Sequence, residues 1–406
     1  MNATIFLGRF YTPAQLVTIK EDSMGFAGLS NHNFELSIFS GLKANLDNDF
    51  SCITLPPNYS YPKRHKKLFT PKEIYQKDGV NIVSCSLCNL IGVNYLWGVC
   101  SVYFNILKEL KKTKDRNIRF IINAPVVQLL LPVYLAKLTH SKRVSSLLII
   151  PDVPQFVSSS VGVQGGVKAK IVSLYDRFTN WLSNKVDYFV FLTESMSDLY
   201  EKKEYRVMEG LIDEGKCNEA FIASNESEIQ SILYTGSLHK VYGILDLIQA
   251  FNSREFENAE LWICGSGDSA EIVKQYASQN LSIKFYGLVS PEEAKRLQAK
   301  ATILINPRTN DGEYTKYSFP SKTIEYLLAN KPVIMHKLSG VPDEYYKYVY
   351  TPDSPTISGL ADVIGRVLEM DKSERKERAE KGRKFIIQNK NSKVQIQRVL
   401  SLFKID

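Results

Sequence analysis

The sequence predicts an α/β protein of two domains, each a parallel sheet covered by helices, and three observations carry that expectation. The chain has 406 residues, too many for one ordinary core and enough for two of roughly 200 residues. Short apolar runs of strand length alternate with longer amphipathic stretches, the rhythm of βαβ units. A segment at 201–228, rich in Glu, Lys, Asn and Gly, separates two such series.

The first series of strand runs falls at 4–7, 81–84, 119–122, 146–150 and 188–192. The second falls at 231–234, 260–264, 282–286, 301–306 and 332–335. Each closes on turn residues or on a helical pattern. Helical periodicity covers 33–42, 93–112, 167–183, 243–251, 291–300 and 321–329. From Ser373 the tail is charged, then carries Ile396, Val399, Leu400 and Phe403 at helical spacing, which reads as one or two surface helices. The expected division is 1–205, 206–380, and a C-terminal helix at 381–406 packing back on the N-terminal domain. No internal repeat or low-complexity tract is present.

Hydrophobic residues make up 44% and charged residues 23%, the proportions of an ordinary globular chain, which excludes extensive disorder. The net charge of +8, from 51 basic and 43 acidic residues, suits a phosphate-bearing substrate or an anionic membrane surface and selects neither. Cys85 and Cys88 form a CxxC without the second pair or histidines of a zinc set, and the cysteine pattern is expected in a reducing cytoplasm. The N-terminus lacks a basic leader region, and no run of about 18 apolar residues could span a bilayer. A soluble or peripheral protein on the inner face of the plasma membrane is expected.

Two basic stretches stand out. Pro62-Lys63-Arg64-His65-Lys66-Lys67 reads as a loop, and the helix from Tyr95 ends in Lys108, Lys111, Lys112 and Lys114. They are either solvated surface, with the helix charges complementing the macrodipole, or a face that meets anionic lipid. Basic residues are not interleaved with aromatics as in a nucleic-acid module, so no nucleic-acid partner is expected.

The residues richest in chemistry begin at Leu304-Ile305-Asn306-Pro307-Arg308. A strand ends there in a loop containing Arg308, Asp311, Gly312, Glu313, Lys316 and Tyr317, and Ser318-Phe319-Pro320 leads into a helix. Ser318 or Ser321 is expected to cap it, with Pro320 in its first turn. The amides there, beside Ser321 and Lys322, suit a diphosphate. Glu325 lies one turn after Ser321, where a carboxylate can take both hydroxyls of a ribose. The residues alone admit this reading and that of a proline-capped surface helix equally.

Phe319-Pro320-Ser321-Lys322-Thr323-Ile324-Glu325-Tyr326-Leu327-Leu328-Ala329, with Lys331-Pro332-Val333-Ile334 after it, resembles the signature of the family-4-type (group 1) retaining glycosyltransferases of bacterial polysaccharide biosynthesis. Tyr234-Thr235-Gly236-Ser237 with Tyr242-Gly243-Ile244 is similar to the loop that opens their second domain. Leu261-Trp262-Ile263-Cys264-Gly265-Ser266-Gly267 and Phe285-Tyr286-Gly287 resemble its next two strands. The resemblance implies a GT-B architecture, two Rossmann-like parallel-sheet domains facing a central cleft that closes about the 201–228 hinge. It implies a donor site of Gly236, Ser237, Lys240, Arg308, Lys316, Ser318, Pro320, Ser321, Lys322, Thr323 and Glu325, with Glu325 on the ribose. The family commonly has a glutamate at the position of Tyr317, and Glu313 is the nearest substitute. It usually has an arginine and a lysine where this chain has Ser237 and Tyr242, so Lys240, Arg308, Lys316 or Lys322 must neutralise the phosphates.

The N-terminal half resembles the family's acceptor domain through Gly25, Gly28 and Asn31-His32-Asn33 before a helix, and through Ile150-Pro151-Asp152 at a strand end. Asp152 is the acceptor-side catalytic candidate, with a turn aspartate before proline as the alternative. Gly28, His32 and Glu194 are further acceptor-side candidates. The resemblance implies transfer of a hexose, with retention, from a nucleoside-diphosphate sugar such as a UDP-sugar. The implied acceptor is a hydroxyl of a polyprenyl-diphosphate-linked saccharide, in capsule, exopolysaccharide or O-antigen assembly, with neither metal nor cofactor. Three other readings compete. Gly265-Ser266-Gly267-Asp268-Ser269-Ala270 meets a loose dinucleotide-binding fingerprint, a nucleotide-sugar epimerase would share the fold, and a membrane-surface scaffold would bind no nucleotide sugar.

Overall fold

The computed structural model describes residues 2–22, 29–57, 60–153, 166–213, 215 and 229–403. The chain divides into two compact units, the first Met1–Glu214 with Asn391–Asp406 and the second Gly215–Lys390.

Unit 1 begins with β1 (Asn2–Gly8), α1 (Pro13–Asp22), α2 (Leu29–Leu46) and β2 (Phe50–Thr54). It continues through β3 (Phe69–Thr70), β4 (Glu73–Lys77), β5 (Val80–Ser84), β6 (Leu87–Cys88), α3 (Val93–Lys112) and β7 (Asn117–Asn123). Next come α4 (Val127–Thr139), β8 (Val144–Ile150), α5 (Gly166–Ser183), β9 (Tyr188–Phe191) and β10 (Tyr205–Val207). Its main sheet runs β10-β9-β8-β7-β1-β2-β5-β4. All neighbours are parallel except the β4–β5 pair at the edge.

Unit 2 carries β11 (Gln230–Thr235), α6 (Ile244–Asn252), β12 (Ala259–Cys264), α7 (Ala270–Gln279) and β13 (Ile283–Gly287). Then follow α8 (Pro291–Lys300), β14 (Ile303–Asn306), α9 (Lys322–Leu328), β15 (Val333–Met335), α10 (Ile357–Glu369) and α11 (Lys372–Asn389). Its sheet is fully parallel in the order β13-β12-β11-β14-β15, the order of a dinucleotide-binding sheet. The chain then returns to unit 1 as α12 (Ser392–Leu400).

The unit borders fall after 214 and 390, where 205 and 380 were expected. β10 extends the unit 1 sheet by pairing with β9, so the chain stays in unit 1 past 205. The segment 381–406 was expected on unit 1, but α11 packs on α9 within unit 2, with Gly382 against Leu327 and Tyr348. The part from Asn391 on belongs to unit 1, where α12 packs along α2 and Leu402 and Phe403 enter the core. Residues 216–228 of the expected hinge lie outside the described residues.

The inner strands of both sheets are buried on two faces, as parallel sheets require. In unit 1, Phe6, Ile121, Leu147 and Val190 from four strands join Phe39 of α2 and Ile396 of α12 in one core. In unit 2, Ile232, Leu261, Ile263, Ile303 and Ile305 join Leu247 of α6 and Ile364 of α10. The strand carboxyl ends thus carry loops on a rigid base, and the candidate sites lie there.

Candidate functional site

In unit 2 the strand order reverses between β11 and β14: the chain runs outward from β11 to β12 and β13, then crosses to β14 on the other side. Ligands of open α/β sheets bind at the carboxyl ends of the strands flanking such a reversal. Here those ends are Thr235-Gly236-Ser237 and Asn306-Pro307-Arg308. Gly243 brings their loops together. Its φ is 76°, and a Cβ there would stand 2.3 Å from the Pro307 carbonyl oxygen, so a side chain would meet both backbone strain and a clash.

Three side chains fix the floor. The Tyr326 hydroxyl donates to the Thr235 carbonyl at 3.0 Å and accepts from the Thr235 N–H at 2.9 Å. Complete burial drives its phenol far above the ordinary value. Gln298, buried on α8, donates to Thr235 Oγ1 at 3.1 Å and to Glu325 Oε1 at 2.7 Å. Lys322 Nζ reaches the two Glu325 oxygens at 2.8 and 2.9 Å. That ion pair is partly solvated, with side chains 34% and 42% exposed. Such a pair contributes about 0–1 kcal/mol, so a ligand can separate it at small cost and both groups remain available to one.

Arg308 differs from every other basic candidate. It is 5% exposed, and its only side-chain hydrogen bond among the described residues is a long one, 3.4 Å to Ser318 Oγ. Its guanidinium lies 5.7 Å from the Tyr242 ring centre and 5.4 Å from that of Tyr314. No described carboxylate pairs with it, and its Nε is buried and unpartnered. Asn306, at the end of β14, accepts the Arg308 N–H at 3.4 Å through its Oδ1, and its Nδ2 is buried and unpartnered too. A buried charge left unpaired costs several kcal/mol, far more than aromatic faces return at about 0.5–2 kcal/mol each. Two orphaned donors and no orphaned acceptor make a site for an oxyanion.

The remaining donor-side candidates have other partners or none of this burial. Lys316 pairs with Glu313 at 2.9 Å, which raises its ammonium. That pair sits in a single turn at 313–317, with Glu313 exposed and Tyr317 buried beneath Lys316. Lys240 is exposed, and its N–H donates to Asp268 Oδ1 at 3.2 Å. Gly236 donates its N–H to the Cys264 carbonyl at 3.0 Å, and Ser237 accepts the Tyr234 hydroxyl at 2.7 Å. Thr323 turns inward, its hydroxyl 3.9 Å from the Met335 sulfur.

The expected cap is corrected. α9 starts at Lys322, and neither serine caps it, since Ser321 makes no side-chain cap bond and Ser318 Oγ takes Arg308. Pro320 stands ahead of the helix, where its carbonyl accepts the Thr323 N–H at 2.9 Å and tightens the entry. With only seven residues, α9 carries little macrodipole. The side-chain cations matter more than the helix end.

In unit 1 the candidates are scattered. Asp152 follows β8 with its side chain exposed, although desolvation still raises its carboxyl. Glu194 is exposed and accepts the Tyr205 hydroxyl. His32 is buried, accepts the Tyr11 N–H at 3.3 Å, and is held below its usual pKa by burial and then by the charge of Lys77. Gly28, like Gly25, lies outside the described residues. Sequence reasoning missed Glu35, one turn after His32. It is 2% exposed, accepts the Arg9 N–H at 2.5 Å and a bond from the Asn123 side chain, and burial raises its carboxyl to about 7. The only trace of it in the sequence is an acid inside an otherwise apolar helical face.

Residues 229–370 match the family model described as glycosyl transferases group 1. No curated protein matches the chain. Among solved structures, apo OtsA is similar over 100% of both chains, at 12% identity and a TM-score of 0.66. The E. coli trehalose-6-phosphate structure bound with UDP-2-fluoro glucose is similar over 100% of both chains, at 11% identity and a TM-score of 0.64. Anabaena HepE in complex with UDP is similar over 99% of this chain and 100% of its own, at 12% identity and a TM-score of 0.60. The α/β fold with parallel sheets is that of these GT-B structures. The match over residues 229–370, within unit 2, is a similarity of that part of the chain to glycosyl transferases group 1.

Proposed function

We propose that the chain transfers a hexose, with retention, from a nucleoside-diphosphate sugar to a hydroxyl of a lipid-linked saccharide in capsule, exopolysaccharide or O-antigen assembly. The carrying observation is Arg308, a buried cation without an acid, beside the orphaned Asn306 amide at the reversal point. A diphosphate supplies the anion that both groups lack. Lys322 opens from Glu325 to a phosphate oxygen, which frees Glu325, still held by Gln298, to take the ribose hydroxyls. Arg308 and Lys322 then stabilise the charge that gathers on the departing diphosphate, the usual largest electrostatic contribution to such a transfer. A donor phosphate oxygen accepts the proton of the attacking hydroxyl. A UDP-sugar is the donor favoured, because two of the similar structures hold UDP or a UDP-sugar.

A peripheral site on the inner face of the plasma membrane belongs to the same reading. Lys63, Arg64, Lys66 and Lys67 are exposed, and their turn is tied by Asn89 to the loop carrying exposed Leu90 and Ile91. Leu96, Trp97 and Phe69 extend this surface, with Phe69 and Trp97 rings 5.7 Å apart. Basic residues beside exposed aromatic and aliphatic side chains suit anionic lipid and its acyl boundary.

A calorimetric titration with UDP, GDP and their sugars tests the donor assignment. Binding of one base series is expected. Absence of any nucleotide binding by the folded chain would remove the transferase reading of this site and favour a scaffold.

A further inference from the structure

The unit 1 sheet ends on β4, whose outer side has no neighbouring strand. β4 and β5 form a hairpin in continuous register from Glu73↔Ser84 to Lys77↔Val80. Asp78 and Gly79 close it with φ of 52° and 81°, the left-handed two-residue turn that suits a hairpin. The residues flanking such a turn exchange both backbone hydrogen bonds, and the exchange recurs at every second pair. Glu73, Tyr75 and Lys77 therefore turn their backbone groups toward β5, and Ile74 and Gln76 turn theirs outward. The free groups of an open edge are a template for another strand.

Natural edges are blunted by proline, by a bulge or by charges that repel a second copy. β4 has no proline and no register break, and Ile74 stands 69% exposed on it. Its two charges are opposite in sign and lie two residues either side of Tyr75. Antiparallel pairing of β4 with its own copy, centred on Tyr75, sets Glu73 of each strand against Lys77 of the other. The same register sets Ile74 against Gln76, so the outward N–H and C=O groups of both strands meet. A slip of two residues puts one charged residue opposite Tyr75 and carries the other past the strand end. A slip of one opposes outward backbone groups to inward ones. One register satisfies backbone and charge together.

Both charges are available for it. Among the described residues Glu73 pairs with no cation, and its Oε2 accepts the Thr12 hydroxyl at 2.6 Å. Lys77 pairs with the adjacent Asp78 at 3.6 Å on an exposed turn, a contact worth little. The other sheet edges offer no such match. β10 and β13 carry one cation each, Arg206 and Lys284, and β15 carries no charge.

We propose that the chain dimerises through β4, two copies joining edge to edge about a two-fold axis at Tyr75 so that one sheet runs through both copies of unit 1. A five-residue edge is a small interface, at the low end of the specific range. The dimer is therefore weak and forms as concentration rises.

Analytical ultracentrifugation of the full chain from about 1 μM to about 300 μM tests this. A reversible monomer–dimer equilibrium is expected. Glu73→Lys and Lys77→Glu each set like charges opposite one another, and each should weaken self-association about tenfold or more. Mixed together, the two variants are complementary at both ends, and the mixture should dimerise as wild type does. Gln76→Pro removes an outward N–H without touching the β5 ladder. It should abolish the dimer with wild-type circular dichroism, and it decides the matter if the charge variants do not fold. Wild-type chain that stays monomeric would overturn the proposal and leave the edge to a strand of another protein. A dimer that survives Gln76→Pro would also overturn it, as would folded charge variants that fail to associate with each other.

Discussion

Replacing Arg308 by Met separates stability from function with opposite signs. The guanidinium is buried and unpaired with acid, so without ligand it carries a desolvation penalty of several kcal/mol. Against that stand two tyrosine faces at about 0.5–2 kcal/mol each. Met fills most of the same volume without the charge, and the unliganded variant should be as stable as wild type or more so. Loss of charge-assisted bonds to phosphate, at about 2 kcal/mol, weakens UDP about 30-fold. With UDP at 100 times the wild-type Kd, wild type gains about 2.7 kcal/mol and the variant only about 0.9. The order of thermal midpoints should therefore narrow or invert on adding UDP. Calorimetry and differential scanning on both chains read this directly. A UDP Kd within twofold of wild type, or severe destabilisation of the unliganded variant, would refute the phosphate role.

Gln298→Leu removes the neutral partner of Glu325 but leaves Thr235 Oγ1 beside the Tyr326 hydroxyl. Nucleotide affinity should fall about three- to tenfold with modest loss of stability, and unchanged affinity by calorimetry would show that Glu325 needs no such hold. Glu35 has its carboxyl raised from 4.5 to about 7 in the folded chain. Its contribution is full below pH 4.5 and is lost as pH rises to 7, about 3 kcal/mol in all. Urea unfolding of Glu35→Gln and wild type across pH 4.5–8 should show that difference, and parallel curves would contradict it. Neutralising Lys63, Arg64, Lys66 and Lys67 together should reduce binding to phosphatidylserine vesicles severalfold, and a further Trp97→Ser change should reduce it more. Equal sedimentation of all three proteins would support a merely solvated loop.

The strands that read most plainly in the sequence are those buried on both faces, such as β1, β7 and β11, where apolar residues run without interruption. β2 escaped notice because Ser51, Cys52 and Thr54 dilute its five residues, although it pairs with β1 along its whole length. α4 has Pro132 inside it and apolar residues on every side, so helical periodicity could not mark it. β4 and β10 are short edge strands, and pairing with a neighbour defines them more than composition does. The segment 319–325 and its glutamate were visible because they are contiguous in the chain and together resemble one short family signature.

The sequence by itself determined the α/β class, the two-domain division in outline, and the candidate nucleotide segment ending in Glu325. Those depend on local periodicity and on motifs contiguous in the chain. Only the tertiary structure decided which cation lacks an acid. Lys316 and Lys322 find carboxylates three residues away, while Arg308 is buried between Tyr242 and Tyr314, far apart in sequence. It alone joined Glu35, Arg9 and Asn123, from a helix and two strand ends. Whether a charge is paired depends on what the fold packs against it, and sequence spacing carries no record of that.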